Sequence, residues 1–232
     1  MKTCLPLVSL CLVLTAPPAS VSAAAREFTD SFDVDKRELS STGRNRFFVL
    51  EPGYVLRLEG KDKGKPTVLV ITVLNETRLV DGVETRVVEE KESVNGQLVE
   101  ISRNFFAISR TTSDVFYFGE EVDIYKGGKV VDHEGAWLSG VQGARFGLAM
   151  PGTPLLGARY HQEIAPQVAM DRAEVVSLTA TLATPAGKFE KCLKTEETTP
   201  LEKGKEYKLY APGVGLIQDG DLKLTRYGRL AE

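Results

Sequence analysis

His161 and Glu163 stand two residues apart in a stretch, residues 132–163, that also holds His133 and the single tryptophan, Trp137. Imidazole nitrogen and carboxylate oxygen are both metal ligands, and a zinc site takes three or four such groups at about 2 Å. His133, His161 and Glu163 are the metal-ligand candidates, and Glu134, Asp171 and Glu174 could complete a set. A His-x-Glu pair on one predicted strand puts both side chains on one face. No spacing in the chain fixes a cluster, however, and a solvated or hydrogen-bonded pair accounts for the same residues. Glu120, Glu163, Asp171 and Glu174 are the carboxylates suited to acid–base work. Glycoside hydrolysis needs two of them about 5 Å apart for retention or about 6.5–9.5 Å apart for inversion. Charge on the outer face of strands is the plain alternative, and no catalytic residue is assigned.

The aromatic residues around the same stretch point to binding. Tyr117, Phe118, Trp137, Phe146 and Tyr160 fall there. Aromatic faces stack on sugars or hold an apolar molecule in the mouth of a barrel, while a few polar groups set its orientation. Tyr117, Phe118, Trp137, Tyr160, Gln162 and Glu163 are therefore the predicted ligand-binding residues, with core packing as the competing role for the rings. Signatures of covalent chemistry are missing: there is no Gly-x-Ser-x-Gly elbow, and Cys192 has no evident histidine partner. Gly213-x-Gly215 sits in a hairpin rather than before a helix, so it makes no phosphate cradle and implies no cofactor.

Strands must position these side chains. Residues 67–74 (TVLVITVL) are β-branched and nearly all apolar, which predicts a central strand buried on both faces. Residues 83–92 alternate valine with charge. Asn95-Gly96 is the strongest hairpin signal in the chain, with Asp81-Gly82 and Gly127-Gly128 on either side of it. Pro212-Gly213 suits the centre of a type II turn. Strand patterns recur to the end, with no amphipathic helix of ordinary length. The predicted fold is all-β: a single antiparallel meander of roughly a dozen strands, in a strongly curved sheet or a closed or half-open barrel that protects its edges. The glycine-rich residues 135–157 interrupt this pattern and are expected to cap the barrel mouth. The β domain spans residues 45–232. Residues 26–44 read as a flexible polar arm that Phe28 and Phe32 could pin.

Residues 1–25 have the layout of a secretory signal peptide. Lys2 precedes an apolar run at residues 5–16 (LPLVSLCLVLTA), and Pro17, Pro18 and small side chains at Val21-Ser22-Ala23 follow. The run is too short for a bilayer, which needs about 20 apolar residues. No transmembrane segment is predicted after its removal, and the location expected is periplasmic or secreted. Cys4 and Cys11 would leave with it, so Cys192 remains alone, on a strand pattern that favours a buried, inert thiol. Basic residues number 29 and acidic residues 32. Without Lys2 the balance is 28 against 32, with no basic block, which argues against nucleic acid as a partner.

A set of motifs stands in a fixed order: FYFGE ending at Glu120, GGKVVDHEGAW ending at Trp137, MPGTPLLGARYHQE ending at Glu163, and YKLYAPGVGLIQDG ending at Gly220. This order resembles a family of secreted bacterial β-rich proteins of uncharacterised activity, which show Tyr-Phe-Gly-Glu, Gly-x-Trp, Met-Pro, Tyr-x-Gln-Glu and Tyr-Ala-x-Gly-Val-Gly-Leu. The likeness covers residues 48–218. It implies export and a β fold, and it transfers no activity. Family members often carry arginine where this chain has His161, which speaks against a catalytic role there. A weaker likeness, in strand count and final hairpin, is to periplasmic half-barrel carriers of lipids or lipoproteins. The function expected is that of an exported, non-enzymatic β-barrel-like protein of the cell envelope, binding a small or lipidic ligand, a saccharide or an envelope partner. The alternatives are a carboxylate-based hydrolase or lyase acting on a saccharide, and a metal-binding periplasmic protein.

Overall fold

The structure is a computed structural model and describes residues 27–229; the signal peptide predicted for residues 1–25 lies outside the described residues. Three short strands open it: β1 (Leu39–Ser40), β2 (Gly43–Asn45) and β3 (Phe48–Leu50). Five long ones follow: β4 (Tyr54–Asp62), β5 (Lys65–Val80), β6 (Val83–Val94), β7 (Gln97–Ser109) and β8 (Val115–Lys126). The middle holds β9 (Lys129–Asp132), β10 (Trp137–Leu138), β11 (Arg145–Met150), β12 (Arg159–His161) and β13 (Glu163–Ile164). The chain ends in β14 (Arg172–Thr184), β15 (Gly187–Thr198), β16 (Glu206–Ala211), β17 (Gly215–Asp219) and β18 (Leu222–Arg229). There is no α-helix among the described residues, and no helix long and apolar enough to cross a membrane.

Turn chemistry sets the register of the long hairpins. Lys63-Gly64, Asp81-Gly82 and Asn95-Gly96 all have positive φ at both residues (47° and 81°, 48° and 76°, 51° and 74°). Two left-handed residues give a turn whose twist matches that of the strands it joins, which suits Asn-Gly and Asp-Gly. Each strand then pairs antiparallel with the next along a 13-strand path, β12-β14-β15-β16-β17-β18-β4-β5-β6-β7-β8-β11-β13. Near its C-terminal end the chain returns to its beginning through β18, where Leu224 lies opposite Leu58 on β4. The two ends of the path, β12 and β13, are separated in sequence by Gln162 alone. The sheet therefore curls back on itself into a nearly closed barrel with one seam, the all-β antiparallel fold that the strand pattern predicts.

Side chains alternate between two apolar layers. Val88 and Phe106 join Leu56, Leu58, Val73, Tyr210 and Leu224 inside the barrel. Their chain neighbours Val87 and Phe105 join Phe116 and Phe118 on the outer face. That outer layer is covered from three directions. The tip of the β5–β6 hairpin supplies Val80 and Val83, the arm supplies Phe32, Val34 and Leu39, and the middle of the chain supplies Leu138 and Phe146. The arm is tied down: Leu39 pairs with Ser109 on β7, and the Phe32 ring meets Phe116 edge-on at 6.0 Å.

Two expectations change here. Residues 67–74 are buried on one face, with Thr67, Leu69 and Val73 inside, while Val68, Val70 and Thr72 keep exposed surface. A strand in a barrel wall has only one interior side, and continuous apolar sequence does not reveal this. Residues 135–157 do not cap the mouth. β10 and β11 pair with successive parts of β8, and Ser139 Oγ donates to Asp81 Oδ2 at 2.8 Å, so residues 137–150 are part of the barrel wall, and the rim of the mouth is made by other residues.

Candidate ligand-binding lumen

One end of the barrel is plugged by apolar side chains. The β2–β3 hairpin folds across it, held where Asn45 Nδ2 donates to the carbonyls of Ser113 (2.8 Å) and Pro151 (3.0 Å). Tyr54 donates its hydroxyl to Val214 O at 2.9 Å. Above this plug lies an apolar recess of about 120 Å³, walled by Phe47, Phe48, Val73, Val88, Phe106 and Leu216. Lys208 and Asp219 close its upper side and also border a wider cavity of about 880 Å³ that leads to the open end. The rim there is formed by Lys61–Lys63, residues 198–206 and the β17–β18 turn.

Between plug and mouth the inward positions carry acids. Glu90 lies opposite Ser102, Glu92 opposite Glu100, and Glu120 opposite Asn104. Across the barrel, Lys208 Nζ is 3.1 Å from Glu197 Oε2 and 3.9 Å from Asp219 Oδ1. Burial opposes a charge on Lys208, but Asp219 and Glu197 outweigh it and hold its pKa well above the usual lysine value. Glu90 is raised to about 7 by burial, with Lys208 pulling the other way. Glu120 is also raised to about 7, by burial and then by Glu90. Burial and Asp171 push Glu163 well above the ordinary carboxyl range. Like charges in a low-dielectric space cannot all ionise, so Glu90 and Glu120 hold protons into the neutral range, and Glu163 is shifted in the same direction.

None of the six predicted binding residues lines either cavity, but Tyr117, Gln162 and Glu163 each contact a residue that does: Phe106, Glu197 and Asp171. Tyr117 stacks on Phe106 (4.7 Å between centroids, 20° between planes) and meets Trp137 edge-on at 5.2 Å and 82°. Its hydroxyl lies 2.5 Å from Asn104 Oδ1 and beside the Glu120 carboxyl. Trp137 pairs opposite Glu120. Gly119 makes that approach possible, because a Cβ there would stand 2.5 Å from Trp137 O. Tyr160, Ala173 and Glu197 form one row across β12, β14 and β15, and the small Ala173 leaves space between the two larger side chains. Gln162 Nε2 donates to Glu197 Oε1 at 3.4 Å, and Glu163 Oε1 accepts from the Asp171 amide at 2.7 Å. Trp137 Nε1 and the Tyr160 hydroxyl are buried and have no hydrogen-bond partner. Phe118 is elsewhere: it is fully buried in the outer layer, stacked on Phe146 at 4.8 Å.

The seam separates the histidine–carboxylate pair. β12 ends at His161 and β13 begins at Glu163, on opposite ends of the sheet path. His161 meets Phe28 edge-on at 6.1 Å and pairs with Arg172, whereas Glu163 faces the acids of the lumen. His133 is 68% exposed at the β8–β9 hairpin, with Nδ1 2.6 Å from Val122 O and 3.1 Å from Asp123 Oδ1. Among the described residues, no group of three or more His, Cys, Asp or Glu side chains is placed to hold a metal ion. Glu174 is ion-paired with Arg159 at 2.6 Å. Cys192 is a free, buried thiol whose pKa burial raises.

Sequence reading missed Glu90, Glu197, Lys208 and Asp219. In VVEEKE (residues 87–92) charge falls on both faces once the valines end, so alternation alone does not say which glutamates point inward.

No family model matches the chain, and no curated protein matches it. The family resemblance drawn from motif order thus gains no support beyond the β-rich fold itself. A solved structure that matches is the crystal structure of a putative lipoprotein from Parabacteroides distasonis ATCC 8503, at 15% identity and a TM-score of 0.41, covering 80% of this chain and 100% of that chain.

Proposed function

We propose that this protein is an exported, non-enzymatic binding protein of the cell envelope that takes a small amphipathic ligand into its barrel, apolar part first. The observation that carries this reading is the adjacency of two unlike spaces. An apolar recess backed by Phe47, Phe48 and Phe106 shares Lys208 and Asp219 with a wider cavity lined by lysines and carboxylates. Small barrels ordinarily fill their interiors with side chains, and interiors pack to crystal density. A barrel that leaves this much room, apolar below and polar above, has the layout of a ligand site. Export rests on the signal peptide predicted for residues 1–25.

The test uses Trp137 as a reporter on the lumen wall. Titration with the neutral apolar probe N-phenyl-1-naphthylamine should quench Trp137 emission saturably, and Phe106→Ala, which enlarges the recess, should change the affinity. Probe emission that stays at its aqueous level would defeat the reading. Native mass spectrometry of protein taken from the producing cells would show a retained molecule directly.

A second reading draws on Glu120 and Glu163, two neighbouring carboxyls whose pKa values burial raises, Glu120 to about 7, as suits a general acid. Release of reducing ends from an oligosaccharide, abolished in Glu163→Gln, would establish it.

A further inference from the structure

Resting on the lumen-binding reading, we infer that the polar end of the ligand is an organic cation, an ammonium or other amine-bearing group, seated in the corner formed by Trp137, Tyr117, Glu120 and Glu163. Three independent features meet there. The first is composition. A cation within about 6 Å of a ring centroid is attracted by the ring quadrupole, tryptophan giving the strongest effect. Trp137 and Tyr117 set two rings at 82° to one another, with two carboxyls beside them.

The second feature is charge that the chain leaves unmatched. Lys208, the lysine buried among these acids, is engaged by Glu197 and Asp219, and the other lysines of the cavity, Lys61, Lys63, Lys203 and Lys205, stand at its rim. The groups facing Glu120 are Glu90, Glu100, Asp171 and Tyr117, and those facing Glu163 are Asp171, Glu120 and Glu197. None of them is a cation. Tyr117 and Glu120 are half-buried, and Tyr117 stacks on Phe106 of the apolar recess, which sets the corner beside that recess.

The third feature is unpaired hydrogen-bonding capacity. Trp137 is 6% exposed and Tyr160 3% exposed, yet Trp137 Nε1 and the Tyr160 hydroxyl bond to nothing. Buried polar groups are normally paired, and donors left over in the interior are where a ligand oxygen or nitrogen would dock. Tyr160 shares its row with Glu197, which places its ring on the lumen side. An amine with an oxygen acceptor close to it would use all three features together.

The experiment compares octyltrimethylammonium, octanoate and octanol on the full mature chain, read by Trp137 fluorescence and by calorimetry. At pH 8 the ammonium probe should bind at least tenfold tighter than the other two. Its charge is permanent, so any pH dependence belongs to the protein. Its affinity should fall at least tenfold between pH 8 and pH 5, as Glu90 and Glu120 take up protons in a corner that also faces Glu100, Asp171, Glu163 and Glu197. Glu120→Gln and Glu163→Gln should each weaken the ammonium probe several-fold more than they weaken octanol, with a single cooperative urea transition retained, which separates lost recognition from lost folding. Equal or tighter binding of octanoate or octanol would overturn the inference and leave the lumen-binding reading standing. Binding of none of the three would overturn both.

Discussion

At the scale of single residues, Glu90, Glu120 and Glu163 are the least expected groups in this barrel, since an ionised carboxylate away from bulk water is costly unless paired. Their raised pKa values have a definite consequence for stability. The native state keeps protons on Glu90 and Glu120 up to about 7, whereas the unfolded chain gives them up near 4.5. Stability contributed by these groups is therefore present at and below the unfolded value. It is lost as pH rises through the window between about 4.5 and 7, and it levels off above that. Water in the cavity damps the effect to about 1 kcal/mol for each group. The urea midpoint should be lower at pH 8 than at pH 5, and Glu120→Gln should flatten that slope. Glu51 acts in the opposite sense. Hydrogen bonds from Arg44 and Arg229 hold it down at about 2, so its contribution is lost as pH falls below the ordinary glutamate range. Together the two effects place maximum stability near pH 5, which a urea series across pH checks directly.

At the scale of elements, the seam and the outer layer carry different loads. The seam depends on close backbone approach: a Cβ on Gly147 would stand 2.6 Å from His161 O and would also meet the carbonyl of Gln162. Gly147→Ala should push β11 away from the crossing at Gln162 and cost about 1–3 kcal/mol, as overpacking does. Faster amide exchange at residues 159–164 would locate the damage. The outer layer depends instead on volume. Phe105 is 1% exposed between the β5–β6 tip and Phe118. Phe105→Ala should cost about 3–5 kcal/mol by leaving a cavity. Because Phe105 lies behind the wall, the same variant should bind N-phenyl-1-naphthylamine as the parent does, whereas changes at its neighbour Phe106 alter that binding.

At the scale of the whole molecule, closure links distant parts of the chain. β18 fills the gap between β17 and β4, with Lys223 opposite both Gln218 and Glu59. A chain ended after residue 220 should leave β4 and β17 as bare edges, which template aggregation. It should lose the single cooperative urea transition of the intact protein, and light scattering would show association. Much of this architecture is legible in the amino-acid order, because hairpin turns and strand alternation are local. Asn95-Gly96 dictates its turn wherever it occurs, and the absence of helical periodicity excludes a parallel sheet with helical crossovers. Tyr117, Trp137, Tyr160, Gln162 and Glu163 drew notice because aromatic and polar types crowd this part of the chain. By itself, then, the sequence determined an all-β antiparallel chain. Only the tertiary structure decided that His161 and Glu163 part company at a seam, that residues 137–150 belong to the wall while other residues form the mouth, and that Glu90, Glu197, Lys208 and Asp219 line the interior. The physical reason is that inside and outside are properties of a closed surface. A strand's alternation says that neighbours point opposite ways, and closure alone says which way is in.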